Sequence, residues 1–416
     1  MNSSITAVNI VEVPFEDWPG GEARLAHDLC LMQVRWGYRV YLVGKKFRGD
    51  LPDREEIAGV TVIRLPSNYR PPPDPRNMLE RITATSRAVK RILAETGSIA
   101  ILHTHTPLHA LGAMREVAKT RTLKVHSIHS PWLLEMEAAG AWGQDRSLKG
   151  RAKSAAAKAA ARFIEKRCFR GADFLTADSE FTRREIIREY RGVARDKSFQ
   201  VLPGWVDTDR FSPDGPRTDW APELGRKPRG PVFFTVRALV PRNGLDMLIN
   251  ASSLLKNQGL QFEVVIGGSG HLRDELEAQI KRLALDDHVK IIGRIEDERL
   301  PVLYRSCDAF VLPTIALECF GIIILEALAS GKPVIATPVG SIPEVLGPIY
   351  PEGLLSEVSV QALAESMIKY YSKIKGQARP AGEAERLRNH VSQNFSTAIG
   401  TGRFRRIYES EPAARP

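Results

Sequence analysis

The chain has 416 residues, 43% apolar and 26% charged, which excludes disordered and fibrous classes and is long enough for two domains of roughly 150 to 200 residues. Its net charge of +10 fits an anionic partner, whether nucleic acid, an acidic membrane surface or an anionic substrate. The four cysteines, Cys30, Cys168, Cys307 and Cys319, form no CxxC pair, so a zinc site or disulfide framework is not expected. No signal-peptide pattern opens the chain and no uncharged run approaches the ~20 residues of a membrane span, so a cytoplasmic location is expected.

Alternating apolar residues predict a first strand over 6–13. It runs into a loop from Pro14 to Gly21, where Gly20 and Gly21 let a ligand approach the backbone closely. A helix is predicted over 22–36 and a strand over 39–43. Further strands are expected at 59–65, 99–104, 123–128, 174–177 and 198–202, with helices such as 78–95 and 180–190 between them. Such alternation argues for a parallel sheet covered on both faces. Residues 210–231 hold five prolines and three glycines and read as an interdomain linker. The rhythm then restarts, with strands at 232–236, 262–266, 289–292, 309–312 and 334–337. The fold class is α/β, two doubly wound Rossmann-like domains facing across a cleft. The expected divisions are 1–209, a linker at 210–231, a second domain at 232–390, and a helical tail at 391–416 that packs back on the first domain.

The richest stretch is 313–345. Glu318 follows an apolar strand and Glu326, eight positions on, lies in the helix that begins near Ile322. Acids in such apolar surroundings are costly to bury without partners, and hydroxyls of a sugar or ribose would serve. Amides at the helix start suit an anion. Gly267-Gly268-Ser269-Gly270 sits between a strand and a helix, where a pyrophosphate can lie, though such a turn also serves ordinary packing. His129 ends a strand and should project at the sheet's carboxyl edge. His103 and His105 are expected to point apart, which disfavours a metal shared with His109. Asp207-Thr208-Asp209 has a metal-binding spacing but reads as a turn. From Arg146 to Arg170 nine basic residues face one acid, Glu165; this is a solvated helix face, or a contact with anionic lipid.

Together these elements resemble the retaining glycosyltransferases of family 4, which have the GT-B fold. The most specific match is Glu318-x7-Glu326 within 313–345. Also similar are Gly20-Gly21-Glu22, Trp36-Gly37-Tyr38, His103-Thr104-His105, His129-Ser130-Pro131-Trp132, Ala177-Asp178-Ser179, Pro203-Gly204-Trp205 and Gly268-Ser269-Gly270. The resemblance implies that the second domain binds a nucleotide sugar, such as a UDP- or GDP-sugar. Glu326 would meet the ribose and Glu318, as a catalytic residue, the donor sugar. The amides of Phe320, Gly321 and Ile322 would meet sugar and phosphates, Gly268 and Gly270 would border the donor, and Ile292 and Arg294 the base. Gly20 and Gly21 would approach the diphosphate, with His129 catalytic near sugar and acceptor. The first domain would bind the acceptor: a glycan, a lipid or a small molecule. The family needs neither metal nor cofactor, so cations must stabilise the leaving diphosphate.

Here the sequence departs from the family. Ala238 stands where an arginine is expected and Asn243 where a lysine is expected, while Arg237 and Arg242 each lie one residue early. Strand alternation would turn Arg237 to the opposite face. Arg242, in a loop, is the expected catalytic cation, with Arg237 and Asn243 bordering the donor. Trp205 replaces a usual glycine and Tyr38 a usual histidine. The leading reading is a retaining, metal-independent glycosyltransferase, with peripheral membrane contact through 146–170 and no nucleic-acid partner. The alternatives are a catalytically impaired nucleotide-sugar binder and a sugar-nucleotide epimerase of the same fold.

Overall fold

The computed structural model describes residues 5–15, 17, 20–66, 75–138, 147–194, 198–376 and 382–410. Glu16, Trp18 and Pro19 of the loop before Gly20, Arg146 of the basic stretch, and 411–416 of the tail lie outside them. The chain divides into two compact units, 1–204 with 398–416, and 205–397.

Among the described residues, the first unit has eight strands: β1 (Thr6–Ile10), β2 (Arg39–Lys45), β3 (Arg54–Ile57), β4 (Val60–Leu65), β5 (Ile101–Thr104), β6 (Leu123–Ile128), β7 (Phe174–Ala177) and β8 (Ser198–Val201). Their order is β3-β4-β2-β1-β5-β6-β7-β8. All pairs are parallel except the β3–β4 hairpin. Strand β3 is absent from the sequence expectation because Arg-Glu-Glu-Ile shows no apolar run. Its turn uses Ala58 and Gly59, both at positive φ, which matches the twist of a tight hairpin.

The second unit holds β9 (Val232–Val236), β10 (Glu263–Gly267), β11 (Val289–Gly293), β12 (Ala309–Leu312) and β13 (Val334–Ala336). The order is β11-β10-β9-β12-β13, with every pair parallel. Ala309 to Leu312 are wholly buried, as a strand covered by helices on both faces requires. In both sheets the strand order reverses at the first strand, β1 or β9. Such a switch point opens a crevice at the carboxyl ends of the strands.

The proline-rich segment 210–231 belongs to the second unit instead of linking two units. Phe211 and Trp220 are buried in that unit's core, and Trp220 Nε1 donates to Ser306 O at 3.1 Å. Proline content indicated irregular backbone correctly, but two aromatic anchors pack that backbone down. The tail also divides differently. Helix Glu383–Phe395 packs on helix Ile322–Ala329 within the second unit, whereas residues from Ala398 onward belong to the first.

The basic stretch forms helix Leu148–Gly171. Its one acid, Glu165, is fully buried and accepts from Trp132 N at 2.8 Å, Leu133 N at 3.4 Å and the Tyr190 hydroxyl. Burial pushes this carboxyl up from 4.5 to about 7, against the hydrogen bonds that favour its charge. The folded chain therefore holds the proton more tightly than the unfolded chain. That contribution is complete below pH 4.5 and is lost as pH rises through about 7. The urea midpoint of the wild type, compared with that of Glu165→Gln, should fall steadily between pH 5 and pH 7.5; a difference independent of pH would show that Glu165 titrates normally.

Candidate functional site

Three loops meet at the carboxyl edge of the second sheet. Residues 237–244 follow β9, 268–272 follow β10, and 313–321 follow β12. Close backbone approach fixes their glycines. A Cβ on Gly268 would lie 1.8 Å from Arg237 O, one on Gly270 2.3 Å from Leu239 O, and one on Gly244 2.0 Å from Pro313 O. Leu239 N donates to Ser269 O at 2.9 Å, joining the first two loops.

At the centre lies Glu318, 9% exposed. Arg237 Nη1 donates to its Oε2 at 2.8 Å, and Thr314 Oγ1 donates to the same oxygen at 3.2 Å. Arg237 Nη2 donates to Asn243 Oδ1 at 2.7 Å, and Asn243 Nδ2 donates to Ala238 O at 2.7 Å. The expectation that Arg237 would be turned away is therefore not met. Strand β9 ends at Val236, so the alternation that would reverse Arg237 no longer applies there.

Arg242 takes a different place from the one expected. Its Nη1 donates to Leu317 O at 2.7 Å, and its own carbonyl accepts from Ile315 N at 2.9 Å. Leu317 has φ +52, a left-handed conformation rare for leucine. Arg242 thus braces the turn that aims Glu318. Behind that turn, Ser341 N and Oγ donate to Glu318 O at 2.9 and 3.1 Å.

Glu326 is buried on helix Ile322–Ala329 and accepts from Tyr304 OH at 2.9 Å. Burial, then the Glu326 charge, drives the Tyr304 hydroxyl well above its usual range, so it remains a donor. Gly321 precedes that helix at φ +78 without a side-chain cap, and Phe320 is buried beside it. Ile292 is half-buried and Arg294 exposed, at and just beyond the end of β11. Tyr304, Thr314 and Ser341 are site partners that the sequence reading missed. Thr314, next to Pro313, was the one within reach, because a hydroxyl four residues before Glu318 can meet it in a turn.

In the first unit, Gly20 and Gly21 open helix Gly21–Arg35. Burial, with a contribution from Glu12, pushes Glu22 up to about 7, against the pull of His129. His129 Nδ1 lies 2.7 Å from Asp178 Oδ2, and His129 Nε2 lies 2.8 Å from His105 Nδ1. The rings of His103 and His105 stack at 4.3 Å instead of pointing apart, since positions two apart on a strand share a face. His103 binds Tyr408 OH at 2.6 Å, which ties the terminal helix Thr397–Ser410 into this unit. His109 is engaged elsewhere, with Arg81 and Thr85. Asp207 Oδ1 accepts from the amides of Asp209 and Arg210 at 3.0 and 3.1 Å, as a turn residue does.

Residues 19–210 match the family Glycosyltransferase Family 4, and residues 216–387 match Glycosyl transferases group 1. The chain belongs to the family 4 glycosyltransferases. A GDP-mannose-dependent monoacylated alpha-(1-6)-phosphatidylinositol monomannoside mannosyltransferase of Corynebacterium glutamicum is 33% identical over 58% of this chain and 63% of its own. A similarly named mannosyltransferase of Mycobacterium tuberculosis is 31% identical over 45% of this chain and 49% of its own. The matches thus span about half to two-thirds of those relatives. Mannosylfructose-phosphate synthase of Agrobacterium fabrum is 26% identical over 78% of this chain and 72% of its own. The GT-B fold is shared with sucrose-phosphate synthase from Thermosynechococcus elongatus, with TM-score 0.76, 21% identity and 98% of each chain covered. It is also shared with Anabaena HepE in complex with UDP and glucose, with TM-score 0.73, 18% identity, and 98% of this chain and 100% of that one covered.

Gly268→Ala would drive a methyl into Arg237 O from a backbone at φ +126. A stability loss of at least about 2 kcal/mol is expected from overpacking and strain together. Chemical denaturation measures it, and a near-neutral substitution would show that the turn relaxes freely.

Proposed function

We propose that this chain is a glycosyltransferase that moves a sugar from a nucleoside-diphosphate donor to an acceptor hydroxyl, with retention of anomeric configuration and without metal or cofactor. The observation that carries this reading is Glu318, nearly buried and charge-balanced by Arg237, at the crevice where three glycine-bearing loops meet. Its Oε2 is occupied by Arg237 and Thr314, which leaves Oε1 to accept from donor hydroxyls. Arg237 presents five N–H donors and uses two of its nitrogens on Glu318 and Asn243, so donors remain for a diphosphate oxygen. This favours Arg237 as the cation that Ala238 and Asn243 cannot supply, and weakens the case for an impaired binder.

In the reaction, the acceptor hydroxyl attacks the anomeric carbon from the face that the diphosphate leaves. A diphosphate oxygen takes its proton as the glycosidic bond breaks, and cations with helix-start amides offset the growing charge. Relatives named for GDP-mannose and for phosphatidylinositol support a nucleotide-sugar donor and a lipid-linked or sugar acceptor. A peripheral contact with anionic lipid suits helix Leu148–Gly171, where Arg151, Lys153, Lys166, Arg167 and Arg170 are exposed. No helix among the described residues is long and apolar enough to cross a membrane.

A thermal-shift panel of UDP, GDP, ADP and their sugars tests the donor assignment. One nucleotide, at about 100 times its dissociation constant, should add about 2.7 kcal/mol of stability. Glu318→Ala should abolish turnover of the sugar so identified. Absence of any shift across the panel would sink this reading.

A further inference from the structure

Away from the carboxyl edge of its sheet, the first unit carries a second concave surface, between helix Pro75–Thr96 and helix Pro107–Glu116. The two helices meet backbone to backbone at Gly112, where a Cβ would lie 2.2 Å from Ile82 O. Beside that contact is an open-sided hollow of about 520 Å³, within the ~300–1,000 Å³ usual for a small-molecule site. Each helix leads into the start of a parallel strand, β5 or β6, so both run towards the amino edge of the sheet. Arg115 lies eight residues past Pro107, ~12 Å along its helix, which sets the hollow apart from the histidines at the carboxyl edge.

The lining is strongly one-signed. Thr83, Ser86, Arg87 and Lys90 recur at intervals of three and four, so they share one face of the first helix. Arg115 and Lys119 face them from the end of the second helix and the turn after it. All four cations are exposed, and among the described residues none pairs with an acid. The one carboxylate in the hollow, Glu116, already accepts from Ser86 Oγ.

This differs from the rest of the unit, where Arg54 pairs with Glu95, Arg81 with Glu12 and Arg162 with Glu189. Glu95 shares a helix with Arg87 and Lys90, yet it turns to Arg54. Cations three apart on one helix repel, so Arg87 and Lys90 oppose folding slightly unless an anion joins them. The end of helix Pro107–Glu116 supplies only about half a negative charge, well short of what four cations facing one carboxylate require. A concave cluster also concentrates its field on whatever enters it, unlike cations spread over a convex face.

We propose that this hollow is a second binding site, for a ligand that carries two or more phosphate groups. Each phosphate bears about −1.5 to −2 at pH 7, so two of them match the excess charge. Arg87 and Arg115 offer planar forks that take phosphate oxygens in pairs, and Lys90 and Lys119 offer point charges. The site is independent of the glycosyltransferase reading, since no residue of either crevice takes part.

The test is calorimetric titration of the full-length chain with inorganic pyrophosphate. Arg87→Gln combined with Arg115→Gln should weaken binding at least about tenfold. Both side chains are exposed, so the fold should survive, which a thermal melt checks. The control is Lys281→Gln combined with Arg282→Gln, the same loss of charge at exposed positions of the second unit, and it should change binding less than about twofold. If pyrophosphate does not bind, vesicles of phosphatidylcholine and phosphatidic acid in equal parts test a lipid headgroup as the source of phosphate. There too the pocket variant should lose at least about ten times more affinity than the control. Equal losses in the two variants, or no binding of either probe by the wild type, would overturn the proposal.

Discussion

The second unit is built around one buried ion pair, Arg237 against Glu318 at 2.8 Å. A carboxylate so covered would lose its charge or destabilise the fold if left alone, and removing one member of such a pair costs roughly 3–5 kcal/mol. The partners come from the ends of β9 and β12, neighbours in the sheet, so the pair closes two loops over the switch point. Asn243 holds the other edge of the guanidinium, and Arg242 holds the strained Leu317 that aims Glu318. The close glycine approaches follow from the same demand, because three loops can converge on one carboxylate only where side chains give way to carbonyls.

The first unit meets the same topological condition with different chemistry. Its crevice edge carries imidazoles instead of a guanidinium, and a carboxylate, Asp178, lies 2.7 Å from one of them, His129. The terminal helix contributes Tyr408 to this network, binding His103 at 2.6 Å, with Gln33 reaching the same hydroxyl at 3.4 Å. A segment from the far end of the chain therefore helps to fix His103 of β5, on which His105 stacks. Stability of this unit and geometry of its histidines are coupled through that one hydroxyl.

Strands with uninterrupted apolar runs, such as β12, were legible in the sequence, because burial on both faces leaves little other choice of residue. Glu318 and Glu326 were legible as buried acids in need of partners for the opposite reason, being charges set among apolar neighbours. Edge strand β3 was not, because its residues face solvent and carry no pattern. Nor was the packing of 210–231, where Phe211 and Trp220 overrule what the prolines suggest. The contacts of Arg237 with Glu318 and of Arg242 with Leu317 depend on where β9 stops, and a one-residue difference there reverses the direction of a side chain. Pairings across long separations, such as Tyr304 with Glu326 or Tyr408 with His103, leave no local trace at all.

The claim that Arg237 supplies the donor-site cation is tested most directly by calorimetric binding of the nucleoside diphosphate that the wild type prefers. Arg237→Met should weaken binding at least about tenfold, the loss expected for one charge-assisted hydrogen bond of about 1.5–3 kcal/mol. Arg242→Met, which removes the brace on Leu317, should weaken it less than about threefold. The opposite order, with Arg242 dominant and Arg237 dispensable, would contradict the account.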